Sequence, residues 1–457
     1  MIRKTIFWSG PVLLAWALMA AGWPDPALAD EPSTVEDVIV ILQERGVIEE
    51  EDAARMVERN RAYENKKSWM DRLTFFGDFR ARFDGEWFER DPLGEKHDAR
   101  NRLRYRFRIG AKAEINDYFD LEFRLSSSCE NRSGNQTLGR GLDCQEGGPG
   151  DAQFGFDWDP DGIFINQAYI TFHAFGRRQI PLGGRKLDLM FGKMPNFFHS
   201  KAGKDYLVWD TDFSPEGIAV SYGADPVEGL SLTLNSAFFV IDENSSAADP
   251  YVSPVQLRLE AHPADHFAFG TNLSYYGYGA LGTAFYTRNA GRGNLVDAAG
   301  NFGLSSDRRV NIADLRAWFK FTGIEDWPIL VYGNVVNNFS AQSLPSFNVG
   351  KENLGWGVGL EIGDKKRLVK LGAGYFWIEA NAGPSRYIDS DLFDGRTNQK
   401  GWAIYGAKQV LSNTDLKFTL LLGDPVDDDI RVDGELYEPA LADSDRIRLQ
   451  TDVIVKF

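Results

Sequence analysis

The chain has 457 residues, a formal net charge of −16 at pH 7 and 13% aromatic residues. Such acidity argues against a nucleic-acid partner, whose affinity rests on Lys and Arg neutralising phosphates. Beyond the N-terminus no apolar run reaches the roughly 18 residues that a membrane helix needs, so a helical membrane protein is excluded. The mean hydropathy of −0.33 leaves a β-barrel open, because its strands alternate lipid-facing and lumen-facing residues.

The N-terminus reads as a secretory signal. Arg3 and Lys4 open it, an apolar stretch runs from Ile6 to Trp23, and Ala27-Leu28-Ala29 supplies a cleavage site. Residues 1–29 would be removed and the mature chain would begin at Asp30. Residues 30–70 differ from all that follows. Ser33 and Glu36 form a capping box, and Val35, Val38, Ile39 and Leu42 recur at helical spacing. Gly46 interrupts, and a second, charged helix is expected from Glu49 to Lys66. This segment is either a short solvated helical hairpin or a periplasmic oligomerisation or docking element.

From Leu73 onward the dominant period is two. In 100–115, Leu103, Tyr105, Phe107, Ile109, Ala111, Ala113 and Ile115 fall on one side. Arg100, Arg102, Arg104, Arg106, Arg108, Lys112 and Glu114 fall on the other. A helix would spread those charges around its axis, whereas a strand puts them on one face. About sixteen such strands can be placed: 73–84, 100–115, 118–127, 163–174, 186–193, 216–223, 229–240, 254–262, 266–277, 311–322, 328–338, 353–363, 367–379, 400–410, 414–423 and 444–457. Short connections such as Asn116-Asp117 and Asp364-Lys365-Lys366 alternate with long ones rich in Gly, Asn, Ser, Asp and Pro, such as 128–162, 194–215, 278–310 and 380–399. That alternation describes short periplasmic turns and long external loops. The predicted fold is therefore all-β: a transmembrane up-and-down antiparallel β-barrel of about sixteen strands over 71–457, with a short N-terminal helical periplasmic segment.

Several groups along the chain are candidates for function. Arg80 and Arg82 of the first strand, with the arginine row from Arg100 to Arg108 and Lys112, would form a positive ladder on the lumen wall. Such a field steers anions or orients a polar solute; alternatively the cations pair with lumen carboxylates such as Asp78, Glu114, Asp120 and Glu122. Cys129 and Cys144 share one Gly-rich segment, where a disulfide is expected in an oxidising compartment, with two free thiols as the alternative. Asp157, Asp159 and Asp161 have the spacing of the first half of a calcium loop, but Ala168 stands where its closing Glu belongs, so a polar turn competes. The connection 194–215 carries Lys201, Lys204, Asp205, Asp210 and Asp212, with Phe197, Phe198 and Trp209 to anchor it. There is no nucleophile elbow, zinc-helix motif or phosphate loop, so no catalytic residue and no cofactor are expected.

The last strand ends at Phe457 and continues by twos through Val455, Val453, Thr451, Leu449 and Ile447. A strand closing on a terminal aromatic resembles the signal by which outer-membrane proteins are recognised by the barrel-assembly machinery. As a whole, the chain resembles the putative porin family of bacterial outer membranes. The resemblance rests on Arg45-Gly46-Val47-Ile48 within a short helical segment, on Arg100-Asn101-Arg102-Leu103-Arg104-Tyr105-Arg106, and on Gln167-Ala168-Tyr169. It rests also on Phe191-Gly192-Lys193-Met194 and on Trp209-Asp210 with Pro215-Glu216-Gly217. It implies a sixteen-stranded channel passing small hydrophilic solutes or ions by passive diffusion through a water-filled lumen. By porin analogy, 194–215 folds inward as a constriction loop rather than standing as an ordinary external loop. The surroundings would be outer-membrane lipid and lipopolysaccharide, and the assembly a homotrimer. The alternative is a barrel scaffold or sheath for a redox or export partner complex.

Overall fold

The computed structural model describes residues 39, 42–43, 47–66, 72–88, 99–128, 134–138, 162–177, 185–200, 202–437 and 446–457. The expected signal peptide, both cysteines (Cys129 and Cys144), the Asp157, Asp159 and Asp161 motif and Lys201 lie outside these residues.

Sixteen long strands close into one sheet. They are β1 (Leu73–Phe88), β2 (Arg100–Glu114), β3 (Phe119–Ser126), β4 (Phe164–His173), β5 (Lys186–Lys193), β6 (Glu216–Val227), β7 (Leu230–Val240) and β8 (Tyr251–Ala264). The second half comprises β9 (Phe267–Gly279), β10 (Val310–Phe321), β11 (Ile329–Asn338), β12 (Leu354–Ile362), β13 (Lys370–Ile378), β14 (Gln399–Leu411), β15 (Thr414–Pro425) and β16 (Arg446–Lys456). Each strand pairs antiparallel with its sequence neighbours, and β1 closes the ring on β16, with Arg82 opposite Asp452 on one side and Arg104 on the other. Closure leaves no sheet edge in the lipid, which is what the bilayer demands of a β-structure. Helices α1 (Glu50–Lys66) and α2 (Thr283–Ala290) accompany the barrel. None of the described helices is long and apolar enough to cross a membrane.

All sixteen expected strands are present, with shifted ends. β1 runs on to Phe88 because Gly85 and Glu86 still find partners in Asn101 and Arg100. β8 begins at Tyr251, paired with Val240. The two-residue stretch Gln136–Thr137 adds to β2 at Tyr105 and Arg104, beyond the last residue of the shorter β3.

Alternation along the strands sorts the two faces. Phe79, Leu103, Ile109, Phe123, Leu273 and Leu315 are exposed, and so are Ile447, Val453, Val455 and Phe457 of the last strand. On a water-soluble protein so many outward apolar side chains would form an adhesive patch; on a barrel they face lipid. Inward positions such as Arg82, Asp84, Arg106, Gln256 and Arg448 are buried.

The apolar core lies inside the barrel. Met194, Phe198, Tyr206 and Trp209 of the connection 194–215 pack with Phe239, Tyr276, Tyr278 and Phe376 of the wall and with Ile388, Leu392 and Phe393 of the connection 379–398. The wall makes room for them with glycine: a Cβ on Gly357 would lie 2.5 Å from the Phe376 ring. Gly203, at φ +71, carries the first loop over the Tyr332 ring, where a Cβ would lie 2.3 Å away.

Candidate functional site

The arginine row faces the lumen across β1, β2 and β16, and it is paired. Arg82 donates to Asp452 at 2.6 and 3.0 Å and to Asp391 at 2.9 Å. Arg102 meets Asp84 at 3.0 Å and also Glu86; Arg104 reaches Asp84 at 3.4 Å. Arg448 of β16 grips Asp84 with two parallel bonds of 2.8 and 2.9 Å. Arg106 and Arg108 share Asp78, at 3.0 and 2.7 Å, and Asp212, at 3.1 and 3.2 Å. Arg80 donates to the Asn135 side chain at 3.1 and 2.5 Å. Arg100 stands exposed at the outer end, opposite Glu86 in register. Guanidiniums this buried need such partners, because an isolated buried charge is costly.

The pairing differs in detail from the carboxylates expected. Asp78 is a ladder partner. Asp120 instead serves the end of the barrel with the short turns, where it meets Lys112 at 3.0 Å and His173 at 3.1 Å and also binds Arg177. Glu114 pairs with Arg177 at 2.6 Å rather than with the row. Asp84, Glu86, Asp391 and Asp452 were missed. Asp84 and Glu86 lie just past the stretch where alternation is clean, and Asp452 shares its strand with a more conspicuous C-terminal pattern.

The connection 194–215 lies within the lumen and is held from several sides. The far wall grips its backbone: Gln256 donates to the Phe198 carbonyl at 2.5 Å, Arg258 to those of Phe197 and His199, and Arg316 to those of Ala202 and Lys204 at 2.6 and 2.7 Å. Trp209 Nε1 donates to the Tyr278 hydroxyl at 2.7 Å. Asp205 accepts the Ser200 N–H at 2.7 Å and faces Arg316 at 3.4 Å. The Lys204 ammonium lies 4.6 Å from the centre of the Tyr405 ring and 5.2 Å from that of Tyr206. Burial drives its pKa down. Asp212 reaches back to the arginine wall. Burial works to raise its pKa, but Arg106, Arg108 and Arg80 outweigh burial and keep it below the ordinary carboxylate range. Asp210 accepts the N–H groups of Asp212 and Ser390, each at 2.9 Å.

The connection expected at 380–399 as a long external loop instead turns inward, over 379–398. A 3₁₀ turn, Ser385–Tyr387, leads into Ile388, Leu392 and Phe393, all buried in the lumen core. These apolar residues in an otherwise polar connection were the available signal, since Phe197, Phe198 and Trp209 mark the first loop in the same way. The lumen is thus bounded by an arginine wall on β1, β2 and β16, by a mixed polar wall including Asn235, Gln256, Arg258 and Arg316, and by two loops joined to one another.

A closed sixteen-stranded antiparallel sheet with an apolar exterior and a charged interior into which loops fold is the architecture of a transmembrane β-barrel. Residues 89–289 match the model of a family described as putative porin. The match and the barrel together place the chain in the outer membrane. The high-pH structure of OprB from Pseudomonas putida shares the fold, with 12% identity over 86% of this chain and 96% of that one and a TM-score of 0.51. Also similar are OmpF of Salmonella typhi in complex with daunomycin (12% identity, 84% and 97% covered, TM-score 0.46) and the outer membrane channel DcaP of Acinetobacter baumannii (12%, 84% and 97%, TM-score 0.42). No curated protein sequence matches the chain.

Proposed function

We propose that the barrel is a passive-diffusion channel for small hydrophilic solutes or ions, sorted by size and charge where the inner loops narrow the lumen. The observation that carries this reading is the lining itself: Arg106 and Arg108 on the wall face Asp212 on the inner loop at 3.1 and 3.2 Å. These direct ion pairs pin the loop against the wall and narrow the lumen, and charges lining a narrowing discriminate among solutes and ions without chemistry. The proposed pore-lining residues are Arg80, Arg82, Arg100, Arg102, Arg104, Arg106, Arg108 and Lys112. Lys201, Lys204, Asp205, Asp210 and Asp212 belong to the proposed constriction loop. A homotrimer in a lipopolysaccharide-rich membrane, with residues 30–70 on the periplasmic side, completes the proposal.

A second reading, a closed barrel acting as scaffold for a partner complex, draws support from the near-complete burial of Arg82 and Arg106. Liposome swelling separates the two. Refolded protein in vesicles should admit small uncharged sugars at rates that fall steeply with solute size. Vesicles that never swell, although the barrel is folded, would favour the scaffold.

A further inference from the structure

We infer that the connection 379–398 is the second half of the constriction, and that Asp391 on it is the residue that sets the ion preference of the passage. The inference rests on the channel reading above.

Three observations converge on Asp391. The first is placement. The loop is fixed inside the lumen by hydrogen bonds at its first shoulder and by packing further along. Asn294 Nδ2 donates to the carbonyls of Ala380 and Gly383 at 2.6 and 2.9 Å, and Asn294 Oδ1 accepts the Ser385 N–H at 2.9 Å. Ile388, Leu392 and Phe393 are at most 1% exposed. Phe393 and Asp394 sit at φ +48 and +58, left-handed positions that non-glycine residues adopt at a cost and keep only where packing fixes them. The segment between these anchors carries Asp389, Asp391 and Asp394.

The second is partnership. Asp391 Oδ1 accepts from Arg82 at 2.9 Å and from Gln450 at 3.3 Å. Arg448 donates to the Ser390 carbonyl at 3.1 Å and lies 3.6 Å from Asp394. The loop therefore meets the β1 and β16 part of the arginine wall, as Asp212 meets the β2 part. Burial works to raise the Asp391 pKa, but Arg82, Arg80 and Arg448 outweigh burial and hold it well below the usual carboxylate range, so the group is charged at neutral pH.

The third is access. Within the wall the charges are shut away, with side-chain exposures of 3% for Arg82, 0% for Asp84 and 8% for Asp452. Asp391 keeps 37% and Asp394 44%. A passing ion meets the loop carboxylates before it meets the guanidiniums behind them. A charge in a narrow, low-dielectric passage shifts the local potential by kT-scale amounts, and ion concentration follows exponentially.

The test is the reversal potential across a potassium chloride gradient in planar bilayers, for wild type, Asp391→Asn, Asp391→Glu and, as an exposed external control, Asp428→Asn. Asp391→Asn should shift the anion-to-cation permeability ratio roughly 3- to 7-fold toward anions, the effect of about half to one kT of potential acting with opposite sign on the two ions. Asp391→Glu should restore the wild-type value, which a merely structural loss would not do, and Asp428→Asn should leave it unchanged. Should Asp391→Asn fail to fold, Asp394→Asn, whose side chain is more exposed, should shift the ratio in the same direction. Conducting variants with the wild-type reversal potential would overturn this inference and leave the channel standing. Silence of the folded wild type would overturn the channel reading itself.

Discussion

Asp210 and Asp389 cap each other's chain: the Asp210 carboxylate accepts the Ser390 N–H at 2.9 Å, and the Asp389 carboxylate accepts the Thr211 N–H at 3.3 Å. Two main-chain bonds run alongside, from Asp210 N–H to the Tyr387 carbonyl at 2.7 Å and from Asp389 N–H to the Tyr206 carbonyl at 3.2 Å. This latch makes one plug of two loops far apart in sequence. Both carboxyls are buried. Burial and then the charge of Asp391 push Asp389 up to about 7; burial and then Asp389 push Asp210 well above its ordinary value.

A pH dependence follows with a definite sign. An acid whose pKa is raised on folding contributes stability that is fully present below its unfolded value, here 3.8, and is lost as pH rises through about 7. The latch should therefore weaken progressively from about pH 4 to pH 7 and level off above that. Amide exchange at Thr211 and Ser390, corrected for the intrinsic rate, should speed up across that window. Asp389→Asn, which keeps an acceptor oxygen and cannot ionise, should flatten the response. Equal pH dependence in both proteins would remove Asp389 from the account.

The Arg82 pairs give a stability prediction. Asp452→Ala strips Arg82 of its bond at 2.6 Å in a site where the arginine is 4% exposed. Removing one partner of a buried ion pair costs about 3–5 kcal/mol, toward the low end here because Asp391 still faces the guanidinium. The double variant Arg82→Met with Asp452→Leu should recover part of the loss, since the only carboxylate it deprives of Arg82, Asp391, is partly exposed and keeps Gln450. Urea unfolding of refolded protein reads both. Similar midpoints for the single and double variants would contradict the argument.

Gly77 seats the last residue of the chain. Its N–H donates to the Phe457 carbonyl at 2.8 Å, and the Phe457 N–H returns a bond of 3.1 Å. A Cβ at Gly77 would lie 2.6 Å from the Phe457 ring and 2.5 Å from the Arg108 carbonyl oxygen, which cannot give way cheaply. Gly77→Ala should cost about 1–3 kcal/mol through overpacking and lower the heat-modifiable fraction after refolding. A wild-type folded fraction would show that the strand junction adjusts.

The barrel was legible because lipid on one side and a polar lumen on the other impose a period of two on nearly every strand, so Leu103 to Ile115 and Arg100 to Arg108 separate by inspection. Strand ends were less so, since main-chain pairing of Gly85 and Glu86 outlasts the side-chain pattern. The interior was harder to read. Arg82 and Asp391 lie 309 positions apart, and nothing periodic links them. Loop 379–398 has the Gly, Asn and Asp content of an external connection, which concealed its apolar anchors. The helix α2, inside the connection 278–310, gave no distinct signal for the same reason.

Single-channel recording of refolded protein in planar bilayers tests the central claim most directly. Stable, ohmic conductance steps are expected, their size changing when Asp212→Asn releases the inner loop from Arg106 and Arg108. Folded, heat-modifiable protein that inserts and gives no steps would contradict it and would leave a barrel sealed by its two latched loops.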